Sequence, residues 1–183
     1  MAFAIEEFRS KMAYDGARPN LFKITLQFPN LLAAASRPSQ DVSFMAHAAS
    51  LPGSTVGVAR QNYFGREVKF PGNRVFQDWN ITIINDESFN VRDSFEAWSN
   101  LINSHKANVR NRSAVRASGG YAVDAYVTQY GKDGDSKGIK EYKFIGLFPT
   151  QIDPIQLDWG NNDRIEEFGV TFAYQYWESN TTS

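Results

Sequence analysis

Residues 165–177, which read IEEFGVTFAYQYW, form the stretch that decides the fold class. Large apolar side chains occupy every second position from Phe168 to Tyr176, and small or polar side chains lie between them. A period of two predicts a half-buried β-strand, because successive side chains of a strand point to opposite faces. We therefore expect the aromatic face of this strand in the core and the small polar face on a surface.

The same alternation recurs along the chain. Residues 21–28 carry large apolar side chains at every second position, and Pro29 ends the segment. Further strand candidates are residues 42–49, 66–70, 75–85, 123–130 and 139–148, the last two joined as a hairpin. Around the short 66–70 segment, residues 51–73 are expected to form long, partly polar loops, since they contain several Gly, Pro and Ser.

Two segments have helical spacing instead. Residues 88–104 predict a helix whose apolar stripe follows the spacing i, i+4, i+7, i+11 and consists of Val91, Phe95, Trp98 and Ile102. Residues 1–13 show the same spacing at Met1, Ile5, Phe8 and Met12. This N-terminal stripe predicts either a short helix docked on its own domain or an arm that packs on a neighbouring subunit.

Together these segments predict a mainly β fold. We expect an antiparallel β-sandwich or barrel with one packed α-helix at about 88–104 and a candidate short N-terminal helix. A chain of 183 residues is typical of one domain, here residues 1–183. Within it, residues 1–19 form an N-terminal arm, and residues 29–41 and 105–120 form loop insertions.

The composition excludes several classes of protein. The absence of Cys excludes a disulfide scaffold, a thiolate metal site and a cysteine nucleophile. A formal charge of −1 excludes broad attraction to DNA. The longest run without charged residues, 42–59, contains Pro and Gly and predicts no membrane span. Glu6 and Glu7 argue against a signal peptide, so we expect a soluble protein made in a cytoplasm.

The sequence contains no pattern that predicts catalysis. His47 and His105 belong to no metal-binding or catalytic motif. Residues 133–138 resemble the start of a calcium loop, but Phe144 stands where that loop needs a bidentate Glu. We therefore expect no catalytic residue, no cofactor and no metal.

Two segments of opposite charge suggest a contact between copies of the chain. Residues 105–116 contain four basic side chains and no acids, a charge of +4. Residues 151–178 contain six acids and Arg164, a charge of −5. The two segments are either two solvated faces or complementary patches of a head-to-tail contact, which generates rings or filaments.

Seven short motifs, in this order, resemble the tail tube proteins of contractile-tailed bacteriophages. They are ARPNLF at 17–22, LPG at 51–53, GNRVFQDW at 72–79, NDE at 85–87, GLFPT at 146–150, LDW at 157–159 and YWE at 176–178, with the 88–104 helix between the fourth and fifth. The segments 29–41 and 105–120 look longer than in that family.

The resemblance implies a structural subunit rather than an enzyme. Such a subunit forms hexameric rings that stack into a hollow tube inside a contractile sheath, and DNA leaves the virion through the lumen. The implied partners are further copies of the chain, the sheath protein, the baseplate tube initiator, the tail terminator, and the tape-measure protein and DNA in the lumen. The implied location is the virion tail, assembled in the host cytoplasm.

The charge pattern, the loops and the apolar stripes, taken together with this resemblance, nominate residues for two roles. Contacts between subunits or stacked rings are expected at Leu51, Pro52, Gly53, Arg60, Asn73, Arg110, Arg112, Arg116, Asp158 and Asp163. Core anchors are expected at Trp79, Phe95, Trp98, Trp159 and Trp177. Because the chain has no excess of Lys and Arg, we expect a lumen that is neutral to acidic.

Two alternatives stay open at this point. The first is the tube subunit of a bacterial contractile injection machine or of a phage-derived particle, which shares the fold. The second is a monomeric ligand-binding β-barrel, which would need a lined cavity.

Overall fold

The computed structural model describes residues 5–12, 16–32, 39–112, 120–133 and 137–182. The elements in chain order are α1 (Ile5–Lys11), β1 (Phe22–Leu26), α2 (Ser39–Met45), β2 (Ala46–Ala49), β3 (Ser54–Tyr63), β4 (Arg66–Phe76), β5 (Trp79–Ile84), α3 (Asn90–Ile102), β6 (Val123–Gln129), β7 (Lys140–Ile152), β8 (Glu167–Ala173) and β9 (Tyr176–Ser179). The prediction of a mainly β, antiparallel fold with one packed helix is confirmed.

The long strand β7 joins two antiparallel sheets. Its first half pairs with β6 and β9, and β6 pairs with β1; these strands form sheet A. Its second half pairs with β8, followed by β5 and β2; these strands form sheet B. The change of sheet occurs beside Gly146, whose φ of 67° lies in the left-handed region that favours glycine.

Aromatic side chains fill the space between the sheets. Trp79 of sheet B stacks on Phe144 of sheet A with ring centroids 4.4 Å apart. Helix α3 covers the adjoining part of the core, where Phe95 and Trp98 pack on Phe172 and both are fully buried. The core is therefore held by stacked and tilted rings, an arrangement that adds to simple burial of apolar area.

The predicted strand at 165–177 is divided into β8 and β9. Both strands pair with the same edge of β7, and the Gln175 amide donates to the Ile145 carbonyl between them. As predicted, Phe168, Val170 and Phe172 are buried, but the prediction is wrong for Tyr176, which is 43% exposed in β9. The strand is divided because β8 and β9 both pair with β7, and β7 bends from one sheet into the other.

The prediction of a strand over 42–49 is wrong for its first half, because residues up to Met45 belong to α2. Val42 is fully buried and Met45 packs against the core, a spacing of i, i+3 that suits a helix face. Phe44, which the strand pattern placed inside, is 85% exposed. A short apolar segment fits the period of a strand and that of a helix equally well. Packing of α2 beside β1 stabilises the helix.

The N-terminal arm contains the predicted short helix as α1, and none of its side chains is buried. Ile5 and Phe8 are instead largely exposed. Among the described residues, α1 is thus not docked on its own domain. Residues 1–4, 13–15, 33–38 and 113–119, which belong to the predicted arm and the two predicted loop insertions, lie outside the described residues. The prediction of a loop up to residue 41 is wrong at its end, because α2 begins at Ser39.

Candidate assembly surfaces

The prediction of loops around 66–70 is wrong, because β3 and β4 form one long two-stranded hairpin that no third strand joins within the described residues. Arg60 and Asn73, which we expected in loops, lie in these strands. Pro71 and Gly72 do not end β4, and the register shifts beside them, between Val56 and Val58. Each strand of a two-stranded hairpin forms backbone hydrogen bonds with its partner on one side only. Such a strand tolerates Pro, which has no backbone N–H, because its other edge is free.

The two faces of this hairpin differ in chemistry, because residues paired across a ladder share a face. One face carries the pairs Ala59–Phe70, Gln61–Val68 and Tyr63–Arg66, and the other carries Val58–Pro71, Arg60–Lys69 and Asn62–Glu67. On the second face the Glu67 carboxylate accepts from Arg60 at 3.3 Å and lies 3.8 Å from the Lys69 ammonium.

The first face is largely apolar and uncovered. Tyr63 and Phe70 are more than half exposed, and Val68 is 39% exposed. We call this surface, Ala59, Tyr63, Val68 and Phe70, the apolar hairpin face. Isolated two-stranded hairpins are marginally stable in water and need a hydrophobic face packed against something. The apolar hairpin face is therefore a surface that another chain is expected to cover.

The hairpin turn presents an aromatic ring at its tip. Phe64 and Gly65 form a two-residue turn with φ values of 46° and 75°. Positive φ at both positions is typical of the turns that match the twist of the strands. The Phe64 ring is 90% exposed and meets Tyr63 edge-on with centroids 4.5 Å apart. The base of the hairpin is anchored, since the Trp177 indole N–H donates to the Gly53 carbonyl at 3.2 Å.

A second surface is the outer face of sheet B. The Thr171 hydroxyl donates to the Asn80 side-chain oxygen at 2.6 Å, and His47 lies 2.9 Å from the Glu167 carboxylate. The strand segments of this sheet, 46–49, 79–84, 148–152 and 167–173, contain no Lys and no Arg. The small polar face of β8, predicted from alternation alone, thus belongs to a sheet whose strands carry a carboxylate but no permanent cation.

The groups with raised pKa values lie outside the strands of sheet B. The hydrogen bond and charge of Asp124 raise the pKa of Lys143, whose ammonium lies 3.0 Å from that carboxylate. Burial, followed by the charge of Asp78, raises the pKa of Tyr174. Asp124 also accepts the amide of Gly146 at 3.3 Å. These contacts of Asp124 brace the bend of β7 rather than a reaction centre.

The structure offers no assembled chemical centre in its described part. There, no group of three or more His, Cys, Asp and Glu side chains is placed to hold a metal ion. No helix of the described residues is both long and apolar enough to cross a membrane. An open cleft of about 530 Å³ lies within loop 153–166 and is lined by Leu157, Trp159 and Ile165 among others.

Comparison with known proteins decides the family. The model of the phage tail tube protein family matches residues 17–180. The chain belongs to this family. Tail tube protein gp19 of Enterobacteria phage T4 is 32% identical over 164 residues, which cover 90% of this chain and 92% of the relative. The tail tube protein of Serratia phage KSP90 is 27% identical, and the match covers 93% of both chains.

Two solved structures share the fold of this chain. A chain of the anti-feeding prophage cap superposes with a TM-score of 0.64 at 14% identity, covering 94% of both chains. A chain of the anti-feeding prophage baseplate gives 0.62 at 13% identity, covering 92% of this chain and 97% of that one. At these identities the likeness shows the fold alone. Tail tube proteins are components of the virion tail, which confirms the expected location and the family resemblance.

The expected core anchors differ in how deeply the structure buries them. Trp79, Phe95 and Trp98 are fully buried, and Trp177 is partly buried beside the core. The prediction for Trp159 is wrong, because this side chain is 100% exposed in loop 153–166. No strand alternation surrounds Trp159, and apolar side chains outside a period are often exposed.

The expected contact residues lie at separate places on the tail tube fold. Leu51, Pro52 and Gly53 connect β2 to the base of the hairpin; Arg110 and Arg112 follow α3; Asp158 and Asp163 lie in loop 153–166; Arg116 lies outside the described residues. Their contact roles stay predictions. The apolar hairpin face was missed, although the alternation of Val68 and Phe70 with Glu67 and Lys69 could have indicated it.

Proposed function

We propose that this tail tube protein is the repeating subunit of the tube itself. Copies assemble into hexameric rings, and the rings stack into a hollow conduit inside a contractile sheath through which the genome leaves the virion. Family membership supports the role, and the apolar hairpin face is the observation that carries the assembly. That face lies on a hairpin outside both sheets and is uncovered in the isolated chain.

The hairpin meets the physical requirements of a contact between copies. Its exposed edges offer unpaired backbone groups, which a monomer must shield from uncontrolled pairing. Burial of Phe70, Val68 and Tyr63 would contribute about 1.5–3 kcal/mol for each fully buried large side chain. The charged face, with Glu67 between Arg60 and Lys69, keeps the ribbon soluble before assembly.

The outer face of sheet B is the surface that suits the lumen. Its strands carry Asn80, Thr171 and Gly169 on the side away from the core and contain no Lys or Arg. A cationic lining would release counterions from DNA and hold it, whereas a neutral or acidic lining lets DNA pass. The predicted neutral to acidic lumen is therefore supported by the composition of this one sheet.

The proposed partners follow from the position of a tube subunit. The sheath protein surrounds the tube, a baseplate initiator and a terminator contact its two ends, and the tape-measure protein and then DNA occupy its lumen. Chains with this fold come from an anti-feeding prophage baseplate, from its tube-terminating cap and from a sheath–tube complex of an extracellular contractile injection system. The tape-measure protein and DNA are inferred from the role alone.

Electron microscopy of the purified protein tests the assembly. We expect the wild-type protein to form rings or tubes in negative stain. Phe70→Lys should fold but lose most assembly, because it places a charge in the apolar hairpin face. Asn62→Lys, on the other face and opposite Glu67, is the matched control and should assemble normally. A wild-type protein that stays monomeric at every concentration would contradict the proposal, and so would normal tubes from Phe70→Lys.

A tube subunit of a bacterial injection machine is the second candidate. The fold likeness to the sheath–tube complex of an extracellular contractile injection system, with a TM-score of 0.51 and 98% of this chain covered, favours it. The sequence relatives at 27% and 32% identity come from phages, so we favour the phage tail. Portal and capsid genes beside this gene would support the phage context, and their absence would favour the injection machine.

A further inference from the structure

Helix α3 separates two exposed segments of opposite charge. Its first turn holds loop 153–166, because the Arg92 guanidinium donates to the Asp153 carbonyl at 3.2 Å. The other end of that loop is fixed nearby, where the Asn85 amide donates to the Glu166 carbonyl at 2.8 Å shortly before α3 begins.

The length of α3 sets the separation of these two segments. The helix has 13 residues. An α-helix rises about 1.5 Å per residue, so the two ends of α3 lie about 20 Å apart. Residues 103–112, which follow α3, therefore begin about 20 Å from the point where Arg92 holds Asp153.

Loop 153–166, which we call the Trp159 loop, is both acidic and apolar. It contains Asp153, Asp158, Asp163 and Glu166 against the single cation Arg164, a charge of −3. Leu157 is 82% exposed, Trp159 is 100% exposed and Ile165 is 67% exposed. Asp158 orders the tip, since its carboxylate accepts the Gly160 amide at 2.9 Å.

Residues 103–112, which we call the basic turn, lie at the opposite end of α3. This segment contains Lys106, Arg110 and Arg112 and no acids, a charge of +3. Its backbone is ordered by a bridge between Asn103 and Arg110. Val109 is 63% exposed, and in the described part of the chain the three basic side chains form no salt bridge.

We propose that the Trp159 loop of one copy docks on the basic turn of the next copy. This inference rests on the proposed tube. Arg110 and Arg112 can stack on the Trp159 ring and face Asp163, while Val109 packs on the apolar side chains of the loop. A guanidinium over an indole is the most favourable cation–π pair, and it gains strength when both groups leave water.

A second copy is the partner that the geometry favours. Trp159 is 100% exposed in the single chain, so its ring does not pack on the basic turn of its own chain. Every copy carries both halves, and unlike patches on one chain make a head-to-tail contact that repeats from copy to copy. This contact is separate from the hairpin, whose apolar face lies on β3 and β4.

Engineered disulfides test the contact, because the chain contains no native Cys. Val109→Cys and Trp159→Cys chains, mixed under mild oxidation, should yield covalent dimers, whereas each variant alone should yield almost none. A chain with both substitutions should yield a ladder of covalent oligomers. Lys132→Cys, exposed in the β6–β7 turn, replaces Val109→Cys as the control and should give no ladder. Tubes of normal appearance from the chain with both Cys substitutions, but without these cross-links, overturn the docking and leave the proposed function intact.

A charge swap provides the second test. Arg112→Glu and Asp163→Arg should each raise the protein concentration needed for assembly about tenfold, which corresponds to about 1.4 kcal/mol. Both substitutions in one chain should restore most of the assembly, because every contact then regains opposite charges. Lys132→Glu is the matched control and should change nothing. Additive losses in the double variant, or normal assembly with lost binding of the sheath protein, overturn the docking between copies.

Discussion

The buried tryptophans show what a side chain needs to enter this core. Each combines an apolar ring with a hydrogen-bonded N–H: Trp79 donates to the Ser50 carbonyl at 2.8 Å, and Trp98 donates to the Tyr121 carbonyl at 2.7 Å. An indole N–H without a partner would cost about 1–3 kcal/mol on burial. Trp159 has no packed ring and is 100% exposed, so it belongs to the surface of the single chain.

Truncation of a buried and of an exposed tryptophan should have very different effects on the free energy of unfolding. Trp98→Ala should lower the free energy of unfolding by about 3–5 kcal/mol, because it empties a buried aromatic site. Trp159→Ala should change it by at most about 0.5 kcal/mol, since surface substitutions rarely do more. Urea unfolding of dilute, unassembled protein measures both values. Equal losses in the two variants would contradict the assignment of Trp159 to the surface.

At the scale of elements, β7 is the strand on which the two sheets depend. It pairs with β6 and β9 before the bend and with β8 after it. Gly146 allows the bend because an L side chain there meets both an unfavourable φ of 67° and the Gln175 side chain. The hairpin β3–β4 shows the opposite case, an element formed by local pairing whose apolar face stays uncovered in the single chain.

Substitution of Gly146 should therefore destabilise the chain through its backbone. Gly146→Ala should cost about 1–2 kcal/mol of left-handed strain. Its Cβ would also lie 3.0 Å from the Gln175 Cγ. Gly53→Ala is the matched control, because a Cβ there meets nothing within 4 Å. Thermal unfolding compares the stability of the two variants. A Gly146→Ala variant as stable as Gly53→Ala would show that the bend does not need glycine.

At the scale of the whole molecule, the two sheets differ in charge as well as position. Sheet A contains Lys23, Lys140 and Lys143, whereas the strands of sheet B contain no Lys or Arg. Such a division suits a ring in which sheet B faces a passage for DNA. The two sheets share one core. In such a ring, the cations of sheet A stay on the side away from the proposed lumen.

A single cation on sheet B should change how a tube treats DNA. Asn80→Lys should assemble normally but retain short duplex DNA within the tube, because each ring gains one positive charge per copy facing the lumen. Thr25→Lys adds the same charge to sheet A and serves as the control. Co-sedimentation of nuclease-protected DNA at several salt concentrations measures the effect. Protected DNA with Thr25→Lys, or none with Asn80→Lys, would place the lumen elsewhere.

Prediction from the sequence was accurate wherever a long segment kept one period. The strands around Ile24, Ile81 and Phe172 and the helix of Phe95 and Trp98 were predicted correctly because burial of one face imposes that period. The prediction was wrong at residues 42–45, where a short apolar segment suits a strand and a helix alike. It also assigned a loop to 54–64, since Gly and Ser weaken the strand signal there.

The sequence by itself determined the class of fold, the family and the residues that alternate into the core, because apolar periodicity is a local property that burial must satisfy. Only the tertiary structure decided that β3 and β4 form a hairpin with an uncovered apolar face. It alone placed Trp159 outside and set the acidic and basic segments at opposite ends of α3. These are relations between distant parts of the chain, and local spacing carries no information about which distant surfaces face one another.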